Sequence, residues 1–368
     1  MARPAFAKID LAALRHNYER LRTLHGGRAL AVLKANAYGH GAVRCAHALT
    51  DIADGFAVAF LEEAVALREA GINAPILVLE GMFDAHDLQV AQELELWIVV
   101  HHEAQLRMIE LSACTTPLHV WLKLNTGMER AGFAPEDAAA VHSRLVSTGK
   151  IEQIILMSHF ARADEPDSEA TAAQIERFDN ATAGIAGDRS LCNSAGVLAW
   201  PDARLDWARP GIALYGADPI PSGEHGLLPV MTLESRVFAV RDLQAGEALG
   251  YGARFIASRP TRVGLVAMGY ADGYPRTAPE GTAVMVDGQV SGIIGRVSMD
   301  MLTVDITDHP STGIGSRLEL WGPRIRVNDV AHASGTIAYE LLCNVKRVPL
   351  QYSQEPLVHT PKLESAAA

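Results

Sequence analysis

Lys34 closes an apolar run, Ala29 to Leu33, that has the composition of a buried strand. Burying an ammonium group costs several kcal/mol. A lysine at that place therefore needs a charged partner, a shifted pKa or a covalent bond. A desolvated lysine amine is a good imine former, so carbonyl chemistry is one use for it. The competing reading is a lysine whose stem covers apolar surface while its head reaches water. The run by itself does not choose between them.

Two further segments join a strand-like run to a helical pattern through small residues. They are LCNSAGVLAW (191–200), with Ser194 at the step, and ARPGIALYG (208–216), with Gly211 and Ile212. Small residues and free backbone N–H groups at a helix start are where phosphate binds. A lysine amine plus a phosphate cradle points to a cofactor with both an aldehyde and a phosphate, which pyridoxal 5′-phosphate has. Arg209, just before Pro210, is either a surface cation in a salt bridge or a permanent donor, since arginine does not give up its proton. His159 follows an apolar run and reads equally as a packed buried histidine or a working one. The segments LKLNTGMERAGF (122–133), LGYGARF (249–255), MGYADGYPR (268–276) and IGRVSMD (294–300) read on their own as turns and aromatic packing.

These residues must be positioned by the elements around them. Eight short apolar runs, at 29–34, 55–60, 75–80, 94–100, 118–124, 151–159, 190–193 and 205–209, alternate with amphipathic segments. LEEAVALREAG (61–71) ends on Gly71, a helix stop, and PEDAAAVHSRLVSTG (135–149) opens on Pro135, a helix start. Eight buried strands each followed by a helix predict an α/β fold, a (β/α)8 barrel, with a doubly wound open sheet as the rival. Residues 211–216 could also read as a strand. In a barrel, Lys34 would sit at the C-terminal mouth, and the turns after strands seven and eight frequently build a phosphate site. PIPSGEHGLLP (219–229) reads as a linker. Beyond it the pattern turns to strands, with Asp287-Gly288 as a hairpin signal and a short helix at 336–345. The expected division is a cofactor-binding barrel over 1–225 and a mainly β unit over 226–368, ending in a frayed tail, PKLESAAA.

Composition excludes several classes. The chain has 368 residues, 32 Lys and Arg against 43 Asp and Glu, and a net charge of −11. That acidic balance argues against a nucleic-acid binder. With 49% hydrophobic residues and 20% charged, a large core can be buried and extensive disorder is not expected. No apolar run reaches the roughly 18 residues of a membrane span. The N-terminus reads as an ordinary helix start without a secretory signal. Cys45, Cys114, Cys192 and Cys343 are far apart, so neither a disulfide framework nor a metal site is expected. A cytoplasmic enzyme fits these features.

The quoted motifs, taken in order with AVLKANAYGHG (31–41), SHFARAD (158–164) and TIAYELLC (336–343), resemble the alanine racemases over the whole chain except its tail. The resemblance implies a pyridoxal-phosphate barrel joined to a β unit and a homodimer with shared active sites. The reaction it implies is interconversion of L- and D-alanine, for peptidoglycan or for alanine catabolism. It is similar, residue by residue, in Lys34 as the lysine bonded to the cofactor and in Tyr251 as the opposing catalytic tyrosine from the partner. Arg209 is similar to the arginine at the pyridine nitrogen, and His159 to the histidine between that arginine and the tyrosine. Tyr38, Ser194, Gly211, Ile212 and Tyr339 resemble the phosphate contacts. Arg130 looks like the arginine beside the cofactor's phenolic oxygen, Met299 like the residue near the substrate carboxylate, and Tyr274 like part of the access gate. Lys123 occupies a position that is often a carbamylated lysine holding Arg130. Asn125 departs from the family, where many members carry Asp.

The implied mechanism is a two-base proton transfer. Lys34 and Tyr251 would stand on opposite faces of a flat substrate adduct. A tyrosine acting as a base needs positive neighbours, because desolvation alone pushes a phenol the wrong way. The His159–Arg209 pair is expected to supply them.

Overall fold

The computed structural model describes residues 3–113, 116–220 and 223–353. The chain starts with strand β1 (Phe6–Asp10), and helix Leu11–His25 follows at once. Asp10 caps that helix by accepting from the N–H groups of Ala12 and Ala13 at 2.9 and 3.0 Å. Eight parallel strands come next: β2 (Arg28–Val32), β3 (Gly55–Val58), β4 (Ile76–Val78), β5 (Trp97–Val100), β6 (Leu118–Lys123), β7 (Ile151–Met157), β8 (Asp188–Ser190) and β9 (Trp207–Ala208). Their order is β8-β7-β6-β5-β4-β3-β2-β9. The last seam closes through single backbone bonds, Asp206 N–H to Arg189 O at 3.1 Å and Arg209 N–H to Cys192 O at 2.8 Å. The eight expected runs are thus eight barrel strands, and the open-sheet rival falls. Residues 211–216 do not add a strand, because Ile212–Tyr215 is a turn of 3-10 helix. Gly71 has φ +83°, the left-handed conformation that stops helix Leu61–Glu69.

The barrel is filled from its N-terminal end. Trp97, Trp121 and Trp207 meet there, with Trp207 5.6 Å from Trp97 and 5.7 Å from Trp121. Arg28 lies 4.2 Å above the Trp207 ring. Large rings at this end leave the opposite, C-terminal end for polar chemistry.

The second unit is built from β10 (Met231–Leu243), β11 (Ala248–Leu249), β12 (Phe255–Ile256), β13 (Thr261–Val266), β14 (Ala283–Val286), β15 (Gln289–Gly292), β16 (Leu302–Asp305), β17 (Arg317–Trp321) and β18 (Leu350–Ser353). The β14–β15 hairpin turns on Asp287 and Gly288, both at positive φ, as the dipeptide predicts. Two features differ from expectation. Helix Val327–Ala333 precedes the expected helix, which spans Ala338–Cys343. The N-terminal residues do not begin as a helix. Strand β1 pairs antiparallel with β10 and parallel with β18, so the first strand lies in the sheet of the second unit. The expected tail lies outside the described residues. Among those described, no helix is long and apolar enough to cross a membrane.

Candidate active site

Lys34 follows β2 at the C-terminal mouth of the barrel, where it is half-buried. The next four residues are unusual. Ala35, Asn36, Ala37 and Tyr38 all have φ between +50° and +55°, one turn of left-handed helix. For L-residues that conformation costs roughly 1–2 kcal/mol per residue. The turn is clamped from outside. Glu63 accepts from Ala35 N–H at 2.6 Å and from Ala59 N–H at 2.8 Å. Gly39 ends the turn at φ +81°, and a Cβ there would stand 2.2 Å from the Leu342 carbonyl oxygen. The turn brings Tyr38 back under the mouth, where it is 6% exposed.

Ser194 opens helix Ser194–Ala199, which Asn193 caps by accepting from Gly196 N–H at 2.9 Å. The Ser194 hydroxyl accepts from Gly211 N–H at 2.8 Å and Ala213 N–H at 3.2 Å. Both lone pairs are then used, and its proton is left to donate. The Ile212 N–H has no protein acceptor among the described residues. Gly211 is needed for closeness, since a Cβ there would meet the Tyr38 hydroxyl at 2.5 Å. The Tyr339 ring lies 6.0 Å from that of Tyr38. Two hydroxyls and a backbone N–H thus converge as donors on one small cradle, which suits a phosphate group.

Arg209 stands behind this cradle, 4% exposed. Its guanidinium donates to the Ser158 carbonyl at 2.6 Å and to the Ser190 hydroxyl. Burial draws its pKa down to about 10, which leaves it charged at neutral pH. Burial also pushes His159 well below the usual imidazole range, reinforced by Arg209, Lys123, Arg130 and Lys34. His159 is therefore neutral, so of the expected His159–Arg209 pair only the arginine carries charge. Lys123 is 8% exposed and drawn down to about 8 by burial, against the pull of Glu80 and with the repulsion of Arg130, Arg209 and Lys34. Four basic side chains thus surround one mouth, a field made for an anionic ligand.

The loop from β6 carries Arg130, which is exposed. Asn125 shapes that loop, accepting from Gly127 and Glu129 N–H at 3.3 and 3.0 Å and donating to the Glu129 carboxylate at 2.8 Å.

Not every expected site residue meets at this mouth. Tyr251 lies between β11 and β12, 70% exposed, and Met299 is 53% exposed. Met299 neighbours Tyr270, since Ala271 N–H donates to the Met299 carbonyl at 3.0 Å. Tyr274 is a correction. It is 1% exposed, and its ring stacks on Trp321 at 5.8 Å inside the second unit. A 3-10 turn at Tyr270–Asp272 directs the motif's other tyrosine, Tyr270, outward at 37% exposure. The sequence reading also missed Glu63, Ser158 and Ser190. Only Glu63 left a local trace, at the third helical position, where it also accepts from Phe60 N–H at 3.3 Å.

An eight-stranded parallel barrel with an amine and an anion cradle at its mouth, joined to a β unit, defines a lysine-bearing barrel enzyme. The family model "Alanine racemase, N-terminal domain" matches residues 9–219, and "Alanine racemase, C-terminal domain" matches 230–352. The chain belongs to the alanine racemase family. It is 65% identical over 350 residues to the alanine racemase of Azoarcus sp. (strain BH72), covering 95% of this chain and 99% of that one. It is 57% identical over 354 residues to the catabolic alanine racemase of Pseudomonas aeruginosa, with 95% and 99% covered. The crystal structure of the biosynthetic alanine racemase from Pseudomonas aeruginosa superposes with a TM-score of 0.93 at 47% identity, covering 96% of this chain and all of that one.

Proposed function

We propose that the protein interconverts L- and D-alanine, using pyridoxal 5′-phosphate held through Lys34. The observation that carries this reading is the Tyr38–Ser194–Gly211 cradle on the turn that Lys34 begins, with the buried Arg209 next to it in the chain. The Ser194 and Tyr38 hydroxyls and the Ile212 N–H would bind the phosphate, with Tyr339 at its edge. When bound, the cofactor supplies an electron-withdrawing ring that makes the α proton of an amino acid acidic.

The chain's own residues do the rest. Lys34, once its amine is free, takes or returns a proton on one face. Tyr251 of the partner subunit does so on the other. Arg209, a permanent donor, would hold the ring nitrogen through a hydrogen bond without passing it a proton. The neutral His159 relays hydrogen bonding between Arg209 and the tyrosine. Arg130 would face the cofactor's phenolic oxygen, Met299 would lie near the substrate carboxylate, and Lys123, which repels Arg130 as a free cation, would hold it only once carbamylated to an anion. Tyr270, in place of Tyr274, serves the gate.

A homodimer is supported by the apolar side chains the second unit leaves exposed, with Tyr251 at 70%, Ile256 at 59% and Met299 at 53%. We infer a division into a barrel over 1–225 and a mainly β unit over 226–368, although strand β1 pairs within the second sheet. A cytoplasmic location fits the free thiols of Cys45, Cys192 and Cys343. The 57% identity to a catabolic relative and 47% to a biosynthetic one from the same organism favour a catabolic role. Incubating purified protein with L-alanine and with L-serine, followed by chiral separation, tests the activity. Racemic alanine should form faster than racemic serine, and Lys34→Ala should form neither.

A further inference from the structure

His40 is a buried titratable group with no part in the steps above. It directly follows the left-handed turn and Gly39. Its Nδ1 lies 3.0 Å from the Ala37 carbonyl oxygen and 2.9 Å from that of Tyr38. Both partners only accept, so Nδ1 carries the hydrogen and donates to them. Nε2 is then the unprotonated nitrogen, and it has no partner among the described residues. The Ala37 oxygen also receives His40 N–H, whereas the Tyr38 oxygen has His40 Nδ1 as its donor. The imidazole is itself held fast. It stacks on Tyr215 at 4.5 Å, and Tyr215 is anchored by donating to the Val32 carbonyl at 2.8 Å. The His40 carbonyl accepts from the Tyr352 hydroxyl of β18 at 3.1 Å. Burial takes the ring's pKa down to about 4, so it is neutral over the range in which the protein works.

We propose that His40 is a positioning residue for the reaction: its Nδ1–H latches the left-handed turn, and the latched turn fixes Lys34 and Tyr38 at one mouth. The latch explains how four left-handed L-residues persist beside the amine. An unlatched turn would relax toward ordinary φ values, swinging Tyr38 away from Gly211 and loosening the Lys34 backbone. This inference rests on the reading of Lys34 as the cofactor's anchor, but the turn can be observed independently of it.

The test compares three variants of the full-length, cofactor-loaded protein. His40→Asn places an amide nitrogen close to the Nδ1 position, His40→Gln places it nearer Nε2, and His40→Leu has no donor. Amide hydrogen exchange across 33–41 reads the turn. Cofactor loss on dialysis, followed by visible absorbance, and the separate kcat and KM values read its consequence. Losing one buried hydrogen bond should speed exchange and cofactor loss and lower kcat by about tenfold in His40→Leu and His40→Gln, with KM changed by less than about threefold. His40→Asn should stay within about threefold of the parent on every measure. Parent-like exchange in His40→Leu would overturn the proposal. So would faster exchange with unchanged cofactor retention and kcat. Should His40→Leu not fold, the Asn and Gln variants decide, and equal behaviour of the two would overturn it. Retained racemisation by Lys34→Ala would instead sink the reading of Lys34 and leave the exchange result standing.

Discussion

The Asn125 side-chain amide donates to the Glu129 carboxylate at 2.8 Å, in the loop that carries Arg130. Glu129 itself sits at φ +55°, so the loop relies on that bond and on the two N–H groups Asn125 accepts. An aspartate here would put two carboxylates face to face. Asn125→Asp should therefore loosen Arg130 and raise KM for alanine about tenfold, more than it lowers kcat, consistent with the loss of one charge-assisted bond. The double variant Asn125→Asp with Glu129→Gln reverses donor and acceptor and should recover most of the loss. Steady-state kinetics of the three proteins decide the matter, and absence of recovery would count against this account.

Arg209 donates to the Ser158 carbonyl and the Ser190 hydroxyl, acceptors at the C-terminal ends of β7 and β8. A glutamate in its place would face that carbonyl with a second negative group, and the fold itself would suffer. Arg209→Lys is the informative change. It keeps a charge but loses the planar fork. Racemisation should fall about a hundredfold, as expected for loss of a preorganised donor. Transamination should take a larger share of turnovers. Pyruvate released per racemisation event measures that share, and an unchanged ratio would rule out Arg209 as its control.

Tyr251 is 70% exposed in the single chain, and under the proposed function it acts across a dimer contact. Tyr251→Phe should slow α-deuterium exchange from one alanine enantiomer far more than from the other. Mixed dimers of Lys34→Ala and Tyr251→Phe chains should regain activity, because one of the two shared sites is then intact. Equal loss for both enantiomers, or silent mixed dimers, would remove Tyr251 from the site.

Lys123 gives a pH signature. In the folded chain burial brings it to about 8, whereas an unfolded lysine titrates near about 10.4. Between these values unfolding takes up a proton, so this residue makes stability rise with pH. Its unfavourable contribution is complete below about pH 8 and is gone above about pH 10. Lys123→Met should raise Tm by about 2–4 °C at pH 7 in carbon-dioxide-free buffer, and the gain should vanish by pH 10. Melting curves across that range give the answer. A gain that stays constant with pH would show that the buried charge is not its source.

Much of the barrel was legible because its signals are local. Each strand is a short apolar run, and Gly71, Pro135 and Asp287-Gly288 act through their own backbone angles. The same holds for the proposed site residues, Lys34 and Arg209 just after strands and Ser194 at a helix start, since residue type and local position name them. Strand β1 was not legible, since its partners β10 and β18 lie more than 200 residues away and nothing in FAKID names them. Nor could spacing choose between Tyr270 and Tyr274, four residues apart in one motif. A 3-10 turn sends one outward, while Trp321 from a distant strand buries the other.

The sequence alone determined which groups are available and the order in which the strands deliver them. The tertiary structure decided how each group behaves. It made His159 neutral, lowered Lys123 and held a left-handed turn behind Lys34. The physical reason is that water exclusion, crowding by like charges and hydrogen-bond closure depend on distances between elements remote in the chain. No run of neighbouring residues encodes those distances.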